Sequence, residues 1–136
     1  MTPGKAAAQA GHGFVGALEQ ADLLTPDISA RYRARAPGTK IVLAGGDGPT
    51  LERLATRLEG DGLPVFRVID SGHVHPPDFD GAPILTALGV GPLPARDAPG
   101  RLRRLPLWDP AHAGRTRPEQ TDRTGGSSAR GGAPMT

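Results

Sequence analysis

The stretch Gly48-Pro49-Thr50-Leu51-Glu52-Arg53-Leu54-Ala55-Thr56-Arg57-Leu58-Glu59-Gly60, followed after a short break by Leu63-Pro64-Val65-Phe66-Arg67-Val68-Ile69, decides the fold class. In its first half Leu51, Leu54, Ala55 and Leu58 fall at i, i+3, i+4 and i+7, while Glu52, Arg53, Thr56 and Arg57 fall on the other side. That is a helix with one buried face. Pro49 suits its first turn, and Gly60 and Gly62 stop it. The second half is a short apolar run that reads as a strand.

The alternation extends in both directions. Upstream, Lys40-Ile41-Val42-Leu43-Ala44 is a compact β-branched run, expected as a buried strand, and Gly45-Gly46-Asp47-Gly48 turns the chain into the helix. Residues 5 to 24 read as a helix with Ala7, Phe14, Leu18 and Ala21 along one side. Gly11 and Gly13 weaken it by roughly 1 kcal/mol each relative to Ala, so a backbone or ligand is expected to approach closely there. Thr25-Pro26-Asp27 looks like a fresh start for a short helix reaching about Arg35. Downstream, a loop carries His73 and His75, and Ile84-Leu85-Thr86-Ala87-Leu88 gives a third strand. The expectation is an α/β fold: a small mixed sheet of three predicted strands flanked by helices.

The 136 residues suit one folded unit. Hydrophobic content is only 37%, with 20 Gly and 15 Pro, which places part of the chain outside a packed core. From about Leu93 the sequence turns to Pro, Gly, Arg, Ser and Thr with no apolar period. Residues 1–92 are therefore read as the domain, and residues 93–136 as a disordered Arg/Pro/Gly-rich tail. The net charge of +2 hides an asymmetry: residues 1–92 carry 8 basic and 10 acidic groups, residues 93–136 carry 8 Arg and 4 acids. With no cysteine there are no disulfides, Cys-based zinc sites or thiol nucleophiles. No apolar run is long enough to span a bilayer and no export signal opens the chain, so a cytoplasmic address with no membrane partner is expected.

Lys5, Gln9 and His12 lie at i, i+4 and i+7, within an arc of about 60° on one helix face. A solvated face explains such a stripe. The lysine at the helix start, where backbone amides already favour anions, and the opening left by Gly11 and Gly13 favour a bound anion such as phosphate.

Lys5-Ala6-Ala7-Ala8-Gln9-Ala10-Gly11-His12, then Gly62-Leu63-Pro64-Val65, then Val68-Ile69-Asp70-Ser71-Gly72, then Thr86-Ala87-Leu88-Gly89-Val90-Gly91-Pro92 occur in one order. In these blocks, over roughly residues 4 to 92, the chain resembles the type 2 peptidyl-tRNA hydrolase family of archaea and eukaryotes. The resemblance implies an enzyme that cleaves the ester between a peptide and the terminal ribose of tRNA, with peptidyl-tRNA as partner and no metal or cofactor. It also implies a tendency to form homodimers. By position it implies Lys5, Asp70 and Thr86 as catalytic residues and Gln9 and His12 as substrate-binding residues. Ester hydrolysis needs a positioned water, an acceptor for its proton and donors for the developing oxyanion. Asp70 could orient water or the lysine, Lys5 could face the oxyanion or a tRNA phosphate, and Thr86 could donate or accept a hydrogen bond.

Three departures stand against the family pattern. The strand that the family places ahead of the first helix is not in this sequence, so either the true start lies further upstream or the sheet is short by one member with its edge exposed. The family's Asp-x-Gly-Arg-Thr turn is here Asp70-Ser71-Gly72-His73-Val74, with no hydroxyl at the last position. The loop to Gly91 is longer by about the length of Pro76-Pro77-Asp78-Phe79-Asp80. A second reading follows from these: a truncated or impaired relative that binds RNA or a protein without hydrolysing the ester.

Other readings are weaker. His73, His75, Asp78 and Asp80 make a ligand-rich loop without an identifiable third ordered ligand, so no metal is assigned. Gly45-Gly46-Asp47-Gly48-Pro49-Thr50 nearly reproduces the Gly-Gly-Asp-Gly-Thr turn of NAD and diacylglycerol kinases, but Pro49 removes a backbone donor and shifts the hydroxyl. Arg101, Arg103 and Arg104, near Trp108, are the densest basic cluster of the tail, read either as solvated or as a contact for phosphate backbone.

Overall fold

In the computed structural model of the chain, Gly48–Gly60 forms the helix that its period demands (α3). Asp47 caps it, accepting from the Thr50 amide at 2.9 Å, and Pro49 stands in the first turn. The structure describes residues 1–71, 74–75, 79–80 and 82–111. Ahead of α3 run α1 (Pro3–Leu24) and α2 (Pro26–Arg33). After it come β1 (Val65–Asp70), the two-residue strands β2 (Val74–His75) and β3 (Phe79–Asp80), and β4 (Ile84–Val90). A 3-10 turn at Ala95–Asp97 and the one-turn helix α4 (Gly100–Arg103) follow.

The fold is mixed α/β. β1 pairs antiparallel with β4, Val65 opposite Val90 and Asp70 opposite Ile84, and β2 pairs antiparallel with β3. Helices α1 and α3 both pack on β1 and β4 but not on each other. Phe66 lies against Gly16 of α1, whereas Val65, Leu88 and Val90 join Ala55 and Leu58 of α3 in the hydrophobic core. Because alternate strand residues face opposite sides, the two helices cover opposite faces of the pair.

The close approach expected around Gly11 and Gly13 occurs at Gly13 and not at Gly11. A Cβ built on Gly13 would sit 3.3 Å from the Gly89 backbone, and one on Gly89 would sit 1.8 Å from the Gly13 carbonyl oxygen. Gly11 faces open space. α2 is fastened to α1 by Asp22, whose carboxylate accepts from the nearly fully buried Ser29 hydroxyl and pairs with Arg33 at 2.6 Å.

Two expectations are corrected. Lys40–Ala44 is not a strand: it forms one isolated bridge, Leu43 to Leu107, flanked by hydrogen bonds from Ala44 N to the Pro106 carbonyl and from Trp108 N to the Val42 carbonyl, both 2.9 Å. Its apolar composition marks a preference for burial, but 106–108 is too short a partner to extend a ladder, and Ile41 stays 58% exposed. The described sheet around the site is therefore a pair of strands, not three. Structure also continues past Pro92, where Leu102 packs on the core beside Leu54 and Leu63. Residues 112–136 of the expected tail, and His73, Pro76, Pro77 and Asp78 of the histidine loop, lie outside the described residues.

Candidate active site

Thr2 caps α1, its hydroxyl accepting from the Lys5 amide at 3.3 Å, and Pro3 stands in the first turn. This sets Lys5 at the positive end of the helix, where an ammonium is unfavourable unless a carboxylate is near. Asp70 supplies it. Lys5 Nζ lies 2.5 Å from Asp70 Oδ2, with side-chain exposures of 32% and 25%. Phe66, Val68 and Asp70 alternate onto the α1 face of β1, so the strand period aims the carboxylate at the start of the helix.

A break in the ladder lies just before Asp70. Val68 pairs with Ala87 but Ile69 pairs with Leu85, so Thr86 is the extra residue of a bulge on β4. Its Oγ1 donates to the Val68 carbonyl at 3.1 Å. The Thr86 hydroxyl thus ties β4 to β1 where the two strands fall out of step.

A cleft of about 920 Å³ runs along α1 beside β1, bordered by Gln9, Gly11, His12, Val15 and Glu19 on the helix and by Arg67, Asp70 and Ser71 on the strand. Asp70 lines this cleft and Lys5 is joined to it through the ion pair with Asp70; neither Lys5 nor Thr86 is itself part of the lining. The Gln9 Oε1 atom is buried and makes no hydrogen bond among the described residues, an acceptor left open beside the cleft. Lys5, Gln9, His12 and Asp70 are therefore together, and Thr86 stands one step behind them. Among the described residues no group of three or more His, Asp or Glu is placed to hold a metal ion.

A contrasting cluster sits on the α3 face. Arg67 donates through Nε and Nη2 to Glu52, at 3.1 and 2.9 Å, and through Nη1 and Nη2 to Glu59, at 2.5 and 3.1 Å. The guanidinium holds the Glu59 carboxyl below its ordinary range, and the two carboxylates raise Arg67 further above its own. Sequence reading set Arg53 and Arg57 aside as outer-face residues. The structure brings both beside Arg101, which only their four-residue spacing on α3 could have hinted at.

A family model described as peptidyl-tRNA hydrolase PTH2 matches residues 1–108. Among curated proteins none shows significant sequence similarity to the chain.

Proposed function

We infer the function from kinship and geometry together: the chain belongs to the peptidyl-tRNA hydrolase PTH2 family, and it hydrolyses the ester joining a peptide to the 3'-terminal ribose of tRNA. The observation that carries this reading is the Lys5–Asp70 pair at the cleft. An ammonium fixed beside an open cleft can meet an oxyanion as it forms, and a carboxylate beside it can accept a proton from water.

In the proposed reaction a water attacks the ester carbonyl and Asp70 takes its proton. Lys5 stabilises the tetrahedral oxyanion. Collapse breaks the bond to the ribose oxygen, which receives the proton from Asp70, and the peptide leaves as a carboxylic acid that gives its remaining proton to solvent water. Gln9 Oε1 accepts a hydrogen bond from the substrate, for which a ribose hydroxyl is chemically suited, and His12 borders the same groove. Thr86 is a positioning residue in this scheme. Its hydroxyl steadies the bulge that precedes Asp70, so Thr86→Ser should restore the turnover that Thr86→Val lowers.

No helix among the described residues is long and apolar enough to cross a membrane. The reading places the protein in the cytoplasm, where peptidyl-tRNA is released, and the outer edges of β1 and β4, unpaired among the described residues, would accept a second copy of the chain. One observation favours the alternative of an impaired RNA- or protein-binding relative: Val74 stands where the family's turn carries a hydroxyl. Incubating the purified chain with peptidyl-tRNA decides between them. Release of free tRNA by wild type, lost in Lys5→Ala and Asp70→Ala, supports the hydrolase; equal turnover in all three removes these residues from the mechanism.

A further inference from the structure

On the sheet face opposite the cleft, Thr50, Arg53 and Arg57 recur at i, i+3 and i+7 along α3, which puts them on one stripe of the helix. α4 lies against that stripe because Leu102 is anchored in the core of Ala55, Leu58 and Val65. The docking adds Arg101 and Leu105 to the stripe and closes a small pocket of about 170 Å³. Its polar lining is three guanidinium groups and one hydroxyl, with no carboxylate.

Two acids of this region are engaged elsewhere, and two stand beside the pocket arginines. Glu52 and Glu59 turn to Arg67. Asp47 is held by the Thr50 amide at the helix N-terminus, so the helix end is already capped and the arginines carry the charge. Asp61 pairs with Arg101 at 2.7 Å, which fixes the direction of that guanidinium. Arg53 Nη2 donates to Thr50 Oγ1 at 3.0 Å, which fixes another. Among the described residues neither Arg53 nor Arg57 forms an ion pair. Asp61 balances Arg101, so the uncompensated charge at the pocket is that of Arg53 and Arg57, and an anion bound beside them relieves their mutual repulsion. Planar guanidinium forks match phosphate oxygens.

We propose that Arg53, Arg57 and Arg101 form a pocket for a backbone phosphate of RNA, which holds the body of the tRNA while the ester lies in the cleft on the other face. The proposal rests on the reading of peptidyl-tRNA as substrate. The polar lining of the pocket, guanidinium groups and one hydroxyl, suits a single phosphodiester, with the exposed Arg103 and Arg104 continuing the basic surface along the chain. It acts on affinity and not on the chemical step, because none of its residues borders the cleft.

The test is fluorescence anisotropy of labelled deacylated tRNA with the full chain, titrated across salt, for wild type, Arg53→Ala/Arg57→Ala and Arg53→Lys/Arg57→Lys. The alanine pair should bind roughly tenfold more weakly at about 100 mM salt, with a salt slope lower by about 1 to 2. The lysine pair should keep the slope, and all three should hydrolyse a short peptidyl-ribose ester at one rate. Equal tRNA affinity and slope in wild type and the alanine pair overturn the proposal. So does a pocket that binds inorganic phosphate through these arginines while tRNA affinity ignores them. Wild type that binds tRNA through these arginines but never cleaves peptidyl-tRNA removes the hydrolase reading and leaves the pocket standing. Cleavage with no arginine-dependent binding does the reverse.

Discussion

β1 carries one charged cluster on each face, and the two are built for different ends. On the α3 face Arg67 is clasped by Glu52 and Glu59, its donors directed into carboxylates of one helix. On the α1 face Asp70 meets Lys5 beside an open cleft where Gln9 presents an unused acceptor. A cation enclosed by two carboxylates has its electrostatic demand met and serves to seat α3 on the strand. A cation and a carboxylate that share an open groove remain able to meet a substrate. Both Arg67 and Asp70 line the cleft, so charge and proximity do not separate the two clusters; the two carboxylates that take up the Arg67 donors do.

The largest expected effect strikes the cleft side. Lys5→Ala should lower kcat/KM for peptidyl-tRNA by about a hundredfold to a thousandfold, as loss of an oxyanion partner does, with the melting temperature nearly unchanged. A variant with wild-type turnover would put the two clusters on equal footing.

Gly89→Ala attacks the seat of the cleft. Its new methyl would meet the Gly13 carbonyl at 1.8 Å, backbone against backbone, so α1 must lift off β4. Overpacking of this kind costs about 3 kcal/mol. Thermal melting should show a drop of roughly 10 to 20 °C, and turnover should fall as Lys5 moves from Asp70.

Acid should separate the faces more gently. Because Arg67 depresses the Glu59 carboxyl, the folded state holds that group ionised below its unfolded pKa. The stability it adds is present above the unfolded value, about 4.3, and is lost as pH falls through the lower folded value. Melting temperatures of wild type and Glu59→Gln should therefore differ at pH 7 and converge in acid. A difference that persists at low pH would mean that the glutamate acts through packing and not charge. Gly11→Ala is the smallest change. In open space it should stabilise α1 by about 0.5 to 1 kcal/mol, read as a melting rise of a few degrees, whereas a fall would show that α1 needs the glycine there.

Much of the fold was legible because it rests on local signals. The period of Leu51, Leu54, Ala55 and Leu58, and Pro26 and Pro49 in first turns, are readable along the chain, whereas the caps at Thr2 and Asp47 emerged only with the structure. Lys40–Ala44 misled because apolarity reports a wish for burial and carries no information on whether a partner strand stands beside it. Residues 93–108 misled in the opposite way: amid Pro, Gly and Arg, Leu102 reaches the core as a single residue with no period to announce it. Gly16, against the Phe66 ring, was equally silent, since only the packed strand shows why a side chain is refused there. At the site, helix spacing alone grouped Lys5, Gln9 and His12. Asp70 and Thr86 are distant in sequence and came from the order of the family's blocks. The pocket of Arg53, Arg57 and Arg101 was illegible because it exists only once α4 has docked.

The most direct test of the division between the two faces is a paired measurement of turnover and melting temperature for Asp70→Asn and Arg67→Gln. Asp70→Asn should abolish cleavage of peptidyl-tRNA and melt within a few degrees of wild type, while Arg67→Gln should melt lower and cleave at the wild-type rate. Full activity in Asp70→Asn, or its loss in a folded Arg67→Gln, would contradict the assignment of the chemistry to the cleft.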